Sequence, residues 1–159
     1  MNYPSATSTS PETDLLTGFD RQVDYAGFWR RFLAVFIDSI VIQIVNMLVA
    51  AAMGYPVFDV SREYFDPPAL VGLVIGWLYF AVQESSPAMG TLGKRAVGIR
   101  VTTMDGDRIS FARATGRHFA RYLSTILLLI GYLMMLWDSK KQTLHDKMAE
   151  TLVIKDRNY

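Results

Sequence analysis

The sequence contains no cysteine, which excludes disulfides and thiolate metal sites and leaves the redox compartment open. It contains only two histidines, His118 and His145, which lie too far apart for the i,i+4 pair of a helical metal site. The sequence also offers no nucleophile with a partnered base. We therefore expect no metal, no other cofactor and no enzymatic activity.

The N-terminal region lacks the basic residues followed by an apolar run that mark a cleavable signal peptide, so we expect none. Residues 1–24 are rich in Ser, Thr, Pro, Asp and Glu and show no periodicity, which predicts a disordered polar leader. The net charge is only +1, which gives no reason to expect a nucleic acid as partner.

Charge is scarce within three long apolar segments. The first runs from Phe32 to Met53, and Asp38 is the only charged residue among these 22. A bilayer-spanning helix needs ~20 residues, so this segment predicts a transmembrane helix. Ala69–Gln83, with 15 residues, is a second candidate span, and Tyr122–Trp137 is a third apolar segment of 16 residues. The predicted fold class is therefore an all-α integral membrane protein.

Asp38 is the most informative residue of the first span. A carboxylate at that depth costs ~2.5–3.5 kcal/mol, which is tolerable if it faces protein or water and finds a cation. Arg31 lies seven residues earlier on the same helix face, with a rise of ~10 Å between the Cα atoms. We therefore predict that Arg31 and Asp38 pair. Gln43 and Asn46 are expected to face other helices, where their amides can be hydrogen-bonded.

Lys and Arg are unevenly distributed along the chain: three lie in 1–31, one in 54–68, seven in 84–121 and five in 138–159. The positive-inside rule then places the N-terminus, the connection after the second span and the tail in the cytoplasm. Three simple crossings cannot place all three segments in the cytoplasm, because the tail would emerge on the side opposite the N-terminus. We therefore predict that the third segment is a re-entrant hairpin turning near Gly131, with a plain third span as the alternative.

The connection after the second span predicts further elements. The β-branched runs 99–103 and 151–155 are typical of strands, and they can pair if both lie on the cytoplasmic side. Ser110 is a candidate N-cap for a helix beginning at Phe111. That helix has a basic stripe beside an apolar face, which predicts an interfacial helix that binds anionic headgroups through Arg113, Arg117 and Arg121. A basic helix in a small cytosolic cap is the alternative.

Three ordered motifs resemble the RDD family of small multi-pass bacterial membrane proteins. They read AGFWRRFLA from Ala26 with Asp38 behind it, TLGKR followed by GIRV from Thr91, and QTLHDK leading to TLVI from Gln142. The resemblance covers about residues 25–155, so it implies one membrane domain with these bounds and a short tail, 156–159.

The family is named for an arginine and two aspartates, and the motifs place these at Arg31, Asp38 and Asp146. Arg30 competes for the arginine position, and we choose Arg31 because it shares a helix face with Asp38. One residue departs from the family pattern: Glu150 follows Ala149 where we would expect a glycine. This departure puts in doubt how tight the turn into the last strand is.

The resemblance implies transport of an unidentified ligand, and cation/proton exchange is its most concrete form. The membrane-embedded Asp38 would be the key group, on a pathway with Arg31, Gln43, Asn46 and Asp146. Arg30, Arg100, Asp138 and His145 would support these residues. The alternative is a non-transporting accessory or scaffold membrane protein in which the Arg and Asp residues are structural.

Oligomerisation and location follow from the small number of spans. So few spans can enclose a path only by assembling, so we expect a homo-oligomer or a larger membrane complex within the lipid bilayer. The predicted location is the cell (cytoplasmic) membrane, as a multi-pass protein with a cytoplasmic N-terminus.

Overall fold

Two long helices dominate the computed structural model, which describes residues 23–56, 66–126 and 134–156. Helix α1 spans Phe28–Ala52 and helix α2 spans Pro67–Glu84. At 1.5 Å per residue they measure ~37 Å and ~27 Å, comparable with the ~30 Å hydrocarbon core of a bilayer. Both helices are long and apolar enough to cross a membrane, in agreement with the two predicted spans.

Both helices begin earlier than their apolar segments. Helix α1 starts at Phe28 rather than Phe32, because hydropathy detects only the apolar part of a helix and Trp29–Arg31 continue it. Helix α2 has prolines in its first turn, where a missing N–H leaves no hydrogen bond unmade. Its N-cap is Asp66, whose carboxylate accepts a hydrogen bond from the backbone N of Ala69 at 2.8 Å.

Three further helices follow among the described residues, together with a 3₁₀ turn at Met134–Leu136: α3 (Leu92–Ala96), α4 (Phe111–Ile126) and α5 (Leu144–Met148). The predicted start of α4 is confirmed. Ser110 precedes it, and the Ser110 Oγ accepts a hydrogen bond from the backbone N of Arg113 at 3.2 Å. Helix α3 packs on α1, and α4 packs on both α2 and α5.

The predicted strand pairing is confirmed. Strand β1 (Ile99–Thr103) and strand β2 (Thr151–Lys155) form an antiparallel pair in which the first residue of each lies opposite the last of the other. The backbone N of Ala26 also donates to the carbonyl oxygen of Val153 at 2.9 Å. The residues before α1, the connection after α2 and the last strand therefore meet at one end of the molecule.

The buried apolar core lies where this sheet meets the helices, and it consists of Ala26, Ala34, Ala81, Ile99, Val101, Ile109, Ala114 and Val153. The long helices are different, because large apolar side chains are exposed along α1, among them Phe36, Ile44 and Leu48. An apolar surface of this extent is typical of contact with lipid or with another membrane helix.

The third apolar segment begins within α4, because its residues 122–126 form the C-terminal end of that helix. Residues 127–133, which include Gly131, lie outside the described residues. The re-entrant hairpin and the third span therefore both stay predictions. Residues 1–22 of the predicted leader and residues 157–159 of the predicted tail also lie outside the described residues.

Replacing Glu150 with glycine should stabilise the protein by about 0.5–1 kcal/mol. Glu150 adopts φ +50° just before β2, a left-handed conformation that costs a residue with a side chain roughly 1–2 kcal/mol. Glycine avoids that strain but loses more backbone entropy on folding, which offsets part of the gain. The expected result is a higher unfolding temperature in detergent micelles, followed by circular dichroism.

Glu150→Ala is the matched control, because it removes the carboxylate and keeps the strain. Within the described part of the chain, the Glu150 carboxylate makes one exposed ion pair, with Arg113 at 3.6 Å, so its loss should change little. If alanine stabilised the protein as much as glycine, the gain would come from removing the charge, and the strain explanation would be wrong.

Candidate functional site

Asp38 connects the two long helices to the loop that follows them. Its buried carboxylate accepts hydrogen bonds from the Tyr79 hydroxyl at 2.7 Å, the Thr91 hydroxyl at 2.6 Å and the backbone N of Gly93 at 2.8 Å. Tyr79 belongs to α2, and Thr91 is the N-cap of α3. One carboxylate on α1 therefore fixes α2 and α3 with neutral donors only.

The approach of α3 to α1 depends on Gly93. A Cβ atom at this position would collide with the backbone carbonyl oxygen of Ala34 and with the Asp38 carboxylate. Only a glycine lets the Gly93 backbone N reach Asp38. The Gly93 in the second motif is therefore explained by close backbone contact.

Asp146 forms the second centre of the site. It is fully buried on α5, pairs with Arg31, and accepts hydrogen bonds from Arg117 Nε at 3.0 Å and Nη2 at 2.5 Å. It also caps its own helix, accepting from the backbone N of Thr143 at 3.1 Å. Burial alone would raise the pKa of the Asp146 carboxyl, but the charges of Arg117 and Arg31 hold it well below its usual value.

Glu84 is the third centre, at the C-terminal end of α2. Its buried carboxylate accepts from Arg117 Nη1 at 2.9 Å, pairs with Lys94, and receives a longer contact from Arg121 at 3.4 Å. Arg117 therefore bridges Glu84 and Asp146. Burial lowers the pKa of the Lys94 ammonium to about 8, although Glu84 opposes this shift.

Two sequence predictions about these residues are wrong. Arg31 does not pair with Asp38, because the two lie about two turns apart on one helix while Asp146 reaches Arg31 from α5. Arg117 does not face headgroups with its neighbours in the basic stripe. Only 2 % of its surface is exposed, because Glu84 and Asp146 hold it inside the fold.

The other two stripe residues are partly accessible. Arg113 contacts the exposed Glu150, and Arg121 lies with its guanidinium 4.3 Å from the centre of the Phe80 ring. Membrane-surface binding by Arg113 and Arg121 stays a prediction.

The predicted supporting residues lie around the cluster but are not all part of it. His145 is buried against the Thr143 hydroxyl, and burial lowers its pKa to about 3. Asp138 pairs with Lys147 at 2.5 Å. Arg30 donates to the carbonyl oxygen of Val97 at 3.3 Å, away from the carboxylates. Arg100 lies on β1 opposite Ile154.

Gln43 and Asn46 lie farther along α1, apart from the charge cluster. Gln43 is exposed, while the Asn46 Oδ1 atom is buried and has no hydrogen-bond partner. Asn46 packs against Gly72 of α2, where an added Cβ would lie 2.9 Å from this oxygen. The predicted pathway of these two amides with Asp38 and Asp146 is therefore not assembled among the described contacts: Asn46 packs on α2 and Gln43 is exposed.

Sequence reasoning missed Glu84, Lys94 and the burial of Arg117. The sequence did contain a usable signal for Glu84. This residue is the charged residue that ends the second apolar segment, so it lies at the end of a predicted span. Across residues 23–56, 66–126 and 134–156, no three or more His, Asp or Glu side chains are grouped to hold a metal ion. Chemically, the cluster can hold charges in fixed positions and join the five described helices.

Comparison with known proteins agrees with the family that the sequence motifs resemble. The model of the RDD family matches residues 25–150. The uncharacterized protein YxaI of Bacillus subtilis is 36 % identical over 146 residues, which is 81 % of this chain and 96 % of the relative. The uncharacterized membrane protein YteJ of the same organism is 29 % identical over 141 residues, covering 85 % of this chain and 84 % of the relative.

A third relative is longer than this chain. The proline-rich antigen homolog of Mycobacterium tuberculosis is 26 % identical over 151 residues, which is 82 % of this chain but only 63 % of the relative. No solved structure matches the chain significantly. The family match over most of the chain and the two apolar helices lead to one conclusion: the chain is a membrane protein that belongs to the RDD family.

Proposed function

We propose that this protein is a non-transporting scaffold or accessory protein of the cell membrane, in which the three family residues are structural. The observation that carries the proposal is the state of Asp38, whose carboxylate is buried and accepts three hydrogen bonds from α2 and α3. A carboxylate that exchanges ions must be reached by them. Asp38 instead joins α1 to α2 and α3 through these three hydrogen bonds.

Asp146 supports the same proposal. It lies between Arg31 and Arg117, and both arginines are largely buried with it. A carboxylate between two fixed arginines has little tendency to take up a proton or a metal cation, because both compete with permanent positive charges.

Assembly in the bilayer is the second part of the proposal. Only 11 % of the most hydrophobic stretch of α1 is buried within the chain, and 22 % of that of α2. Gln43 is exposed on α1, and a side-chain amide within hydrocarbon favours a polar partner on another helix. Because an amide both donates and accepts, Gln43 can pair with the same residue of a second copy about a two-fold axis.

The proposed orientation is multi-pass with a cytoplasmic N-terminus. Basic residues are concentrated in residues 1–31, which end in the first turn of α1, in the connection after α2 and in the tail. Strands β1 and β2 pair with each other, and the segment that precedes α1 hydrogen-bonds to β2. They therefore belong on one side of a membrane crossed by α1 and α2, and the positive-inside rule makes that side the cytoplasm.

Cation/proton exchange is the second candidate. The observation that favours it is the position of Asp38 as the eleventh residue of a helix long enough to span a membrane. Ionisable residues inside such helices often mark ion pathways.

A flux assay separates the two candidates. Full-length protein is reconstituted in liposomes with a pH-sensitive dye inside, and sodium, potassium or lithium gradients are applied. The scaffold proposal predicts no proton flux above that of empty liposomes, because Asp38 is held by protein donors on three sides. Light scattering of the same preparation in detergent should give the mass of a dimer or a larger oligomer.

Asp38→Asn is the matched variant, since asparagine keeps the shape and loses the charge. Under the scaffold proposal, the variant should unfold at a lower temperature than the wild type. Liposomes that contain it should show no proton flux, as expected for the wild type. A cation-driven flux in the wild type that folded Asp38→Asn abolishes would overturn the proposal and make the protein an exchanger with Asp38 on its path.

A further inference from the structure

Two tryptophans are highly exposed at the end of the molecule where α1 begins. Trp29 lies in the first turn of α1 with 77 % of its surface exposed, and Trp137 follows the 3₁₀ turn with 80 % exposed. Phe28 and Met135, which lie one and two residues away from them, line one cavity, so both tryptophans lie near the start of α1. Tryptophan favours the headgroup level of a bilayer, where a membrane-spanning helix begins.

Basic side chains surround the same end of the molecule. Arg31 Nη2 donates to the carbonyl oxygen of Lys141 at 2.6 Å, which places Lys141 beside the first turn of α1. Asp24 pairs with Lys155 at 2.7 Å. The hydrogen bond from Lys155 and the charges of Lys141 and Arg30 lower the pKa of the Asp24 carboxyl. Three cations therefore lie near this one exposed carboxylate.

Two of these cations, Arg30 and Lys141, are available to an external anion. Arg30 is exposed and donates to the carbonyl oxygen of Val97 at 3.3 Å, and Lys141 is also exposed. Among the described residues, no carboxylate lies within ion-pair distance of either side chain. Asp138, three residues before Lys141, pairs instead with Lys147 at 2.5 Å. Exposed cations at the headgroup level attract acidic phospholipids.

The exposed residues at this end form a surface that we call the headgroup rim: Trp29, Arg30, Trp137 and Lys141. We propose that the headgroup rim lies in the headgroup layer of the membrane and binds acidic phospholipids by charge. A soluble acidic protein would meet the same cations. The exposed apolar side chains of α1 continue from the rim at Phe32, however, so the rim is continuous with the surface that lipid covers. The inference requires α1 to span the membrane and does not depend on the proposed scaffold role.

Quenching of tryptophan fluorescence by brominated lipids tests the preference for acidic lipids. The full-length protein is reconstituted in liposomes of equal phosphatidylglycerol and phosphatidylcholine, with bromine on the acyl chains of one or the other. The signal of Trp137 is the difference between the wild type and Trp137→Phe. Each basic residue near an acidic surface contributes a factor of about five, and Asp24 offsets part of this.

The expected result is that phosphatidylglycerol lies beside Trp137 about tenfold more often than phosphatidylcholine. The preference should disappear at molar salt, because salt screens exposed charges. The absence of any preference at low salt would overturn the inference.

Lys141→Gln should reduce this preference about fivefold, because it removes one exposed cation of the headgroup rim. Arg108→Gln is the matched control, because Arg108 is also exposed but lies beside Thr102, towards the end of the sheet opposite Lys155. It should leave the preference unchanged. An equal loss in both variants would assign the effect to net charge and overturn the rim. Arg30→Gln should act as Lys141→Gln does, and it decides the matter if Lys141→Gln does not fold.

The position of the bromine along the acyl chain tests the depth of the headgroup rim. Bromine close to the headgroup should quench Trp137 more strongly than bromine near the chain end, and acrylamide in the water should quench it weakly. Strong quenching by acrylamide, together with none by either brominated lipid, would place Trp137 in water. The surface would then fit a soluble acidic partner, and the inference would be wrong.

Discussion

Arg117→Met should lower the free energy of unfolding by about 3–5 kcal/mol, the range found when one partner of a buried ion pair is removed. Methionine matches the length of the arginine stem but cannot donate to Glu84 or Asp146. Both carboxylates are buried, so each would lose a guanidinium partner while remaining out of water. Urea or thermal unfolding of the purified protein in detergent, followed by tryptophan fluorescence, measures this loss.

Arg113→Met provides the control, because it removes a guanidinium from the same helix one turn earlier. The Arg113 side chain is 37 % exposed and lies 3.6 Å from an exposed carboxylate, so the expected change is below about 0.5 kcal/mol. Equal losses in the two variants would mean that the charge of α4 matters only as a whole. The bridge from Glu84 to Asp146 would then contribute little to stability.

The helices and strands could be predicted because the signals that specify them are local. A long apolar run with a single charge is sufficient to place α1, and two β-branched runs are sufficient to place β1 and β2. Even their pairing followed from sequence, because the distribution of basic residues put both runs on one side of the membrane. The boundaries were less accurate, since capping residues and flanking charges extend helices beyond their apolar parts.

The partners of the charged residues could not be predicted in the same way. Arg31 and Asp146 are 115 residues apart, and the spacing within one helix suggested the nearer Asp38 instead. Helical spacing states which residues share a face but not which distant segment packs on that face. The contact between α5 and α1 is a property of the tertiary fold, and it decided which carboxylate Arg31 would meet.

Arg117 shows the same limit from the opposite direction. Its spacing with Arg113 and Arg121 is typical of an exposed basic stripe, and two of these residues are indeed partly accessible. Glu84 and Asp146 are buried on the side of α4 that Arg117 faces. A pattern read along one helix contains no information about acidic residues that two other helices supply.

Gly93→Ala should destabilise the protein by about 3 kcal/mol, because overpacking and the loss of a hydrogen bond to a charged group act together. The new methyl group would meet the Ala34 carbonyl oxygen, which belongs to the backbone of α1 and cannot rotate away. Helix α3 would have to move outwards, and the Gly93 backbone N would then lose Asp38. Thermal unfolding by circular dichroism in detergent measures the change.

Gly116→Ala is the matched control, since the same substitution there meets no atom within 4 Å in an exposed part of α4. It should stabilise the protein by about 0.5–1 kcal/mol, because alanine favours a helix over glycine. The opposite signs of the two effects separate close contact from helix propensity. If Gly93→Ala were neutral or stabilising, the position of α3 would not depend on its close approach to α1. The hydrogen bond between Asp38 and the Gly93 backbone N would then not be what joins the two helices.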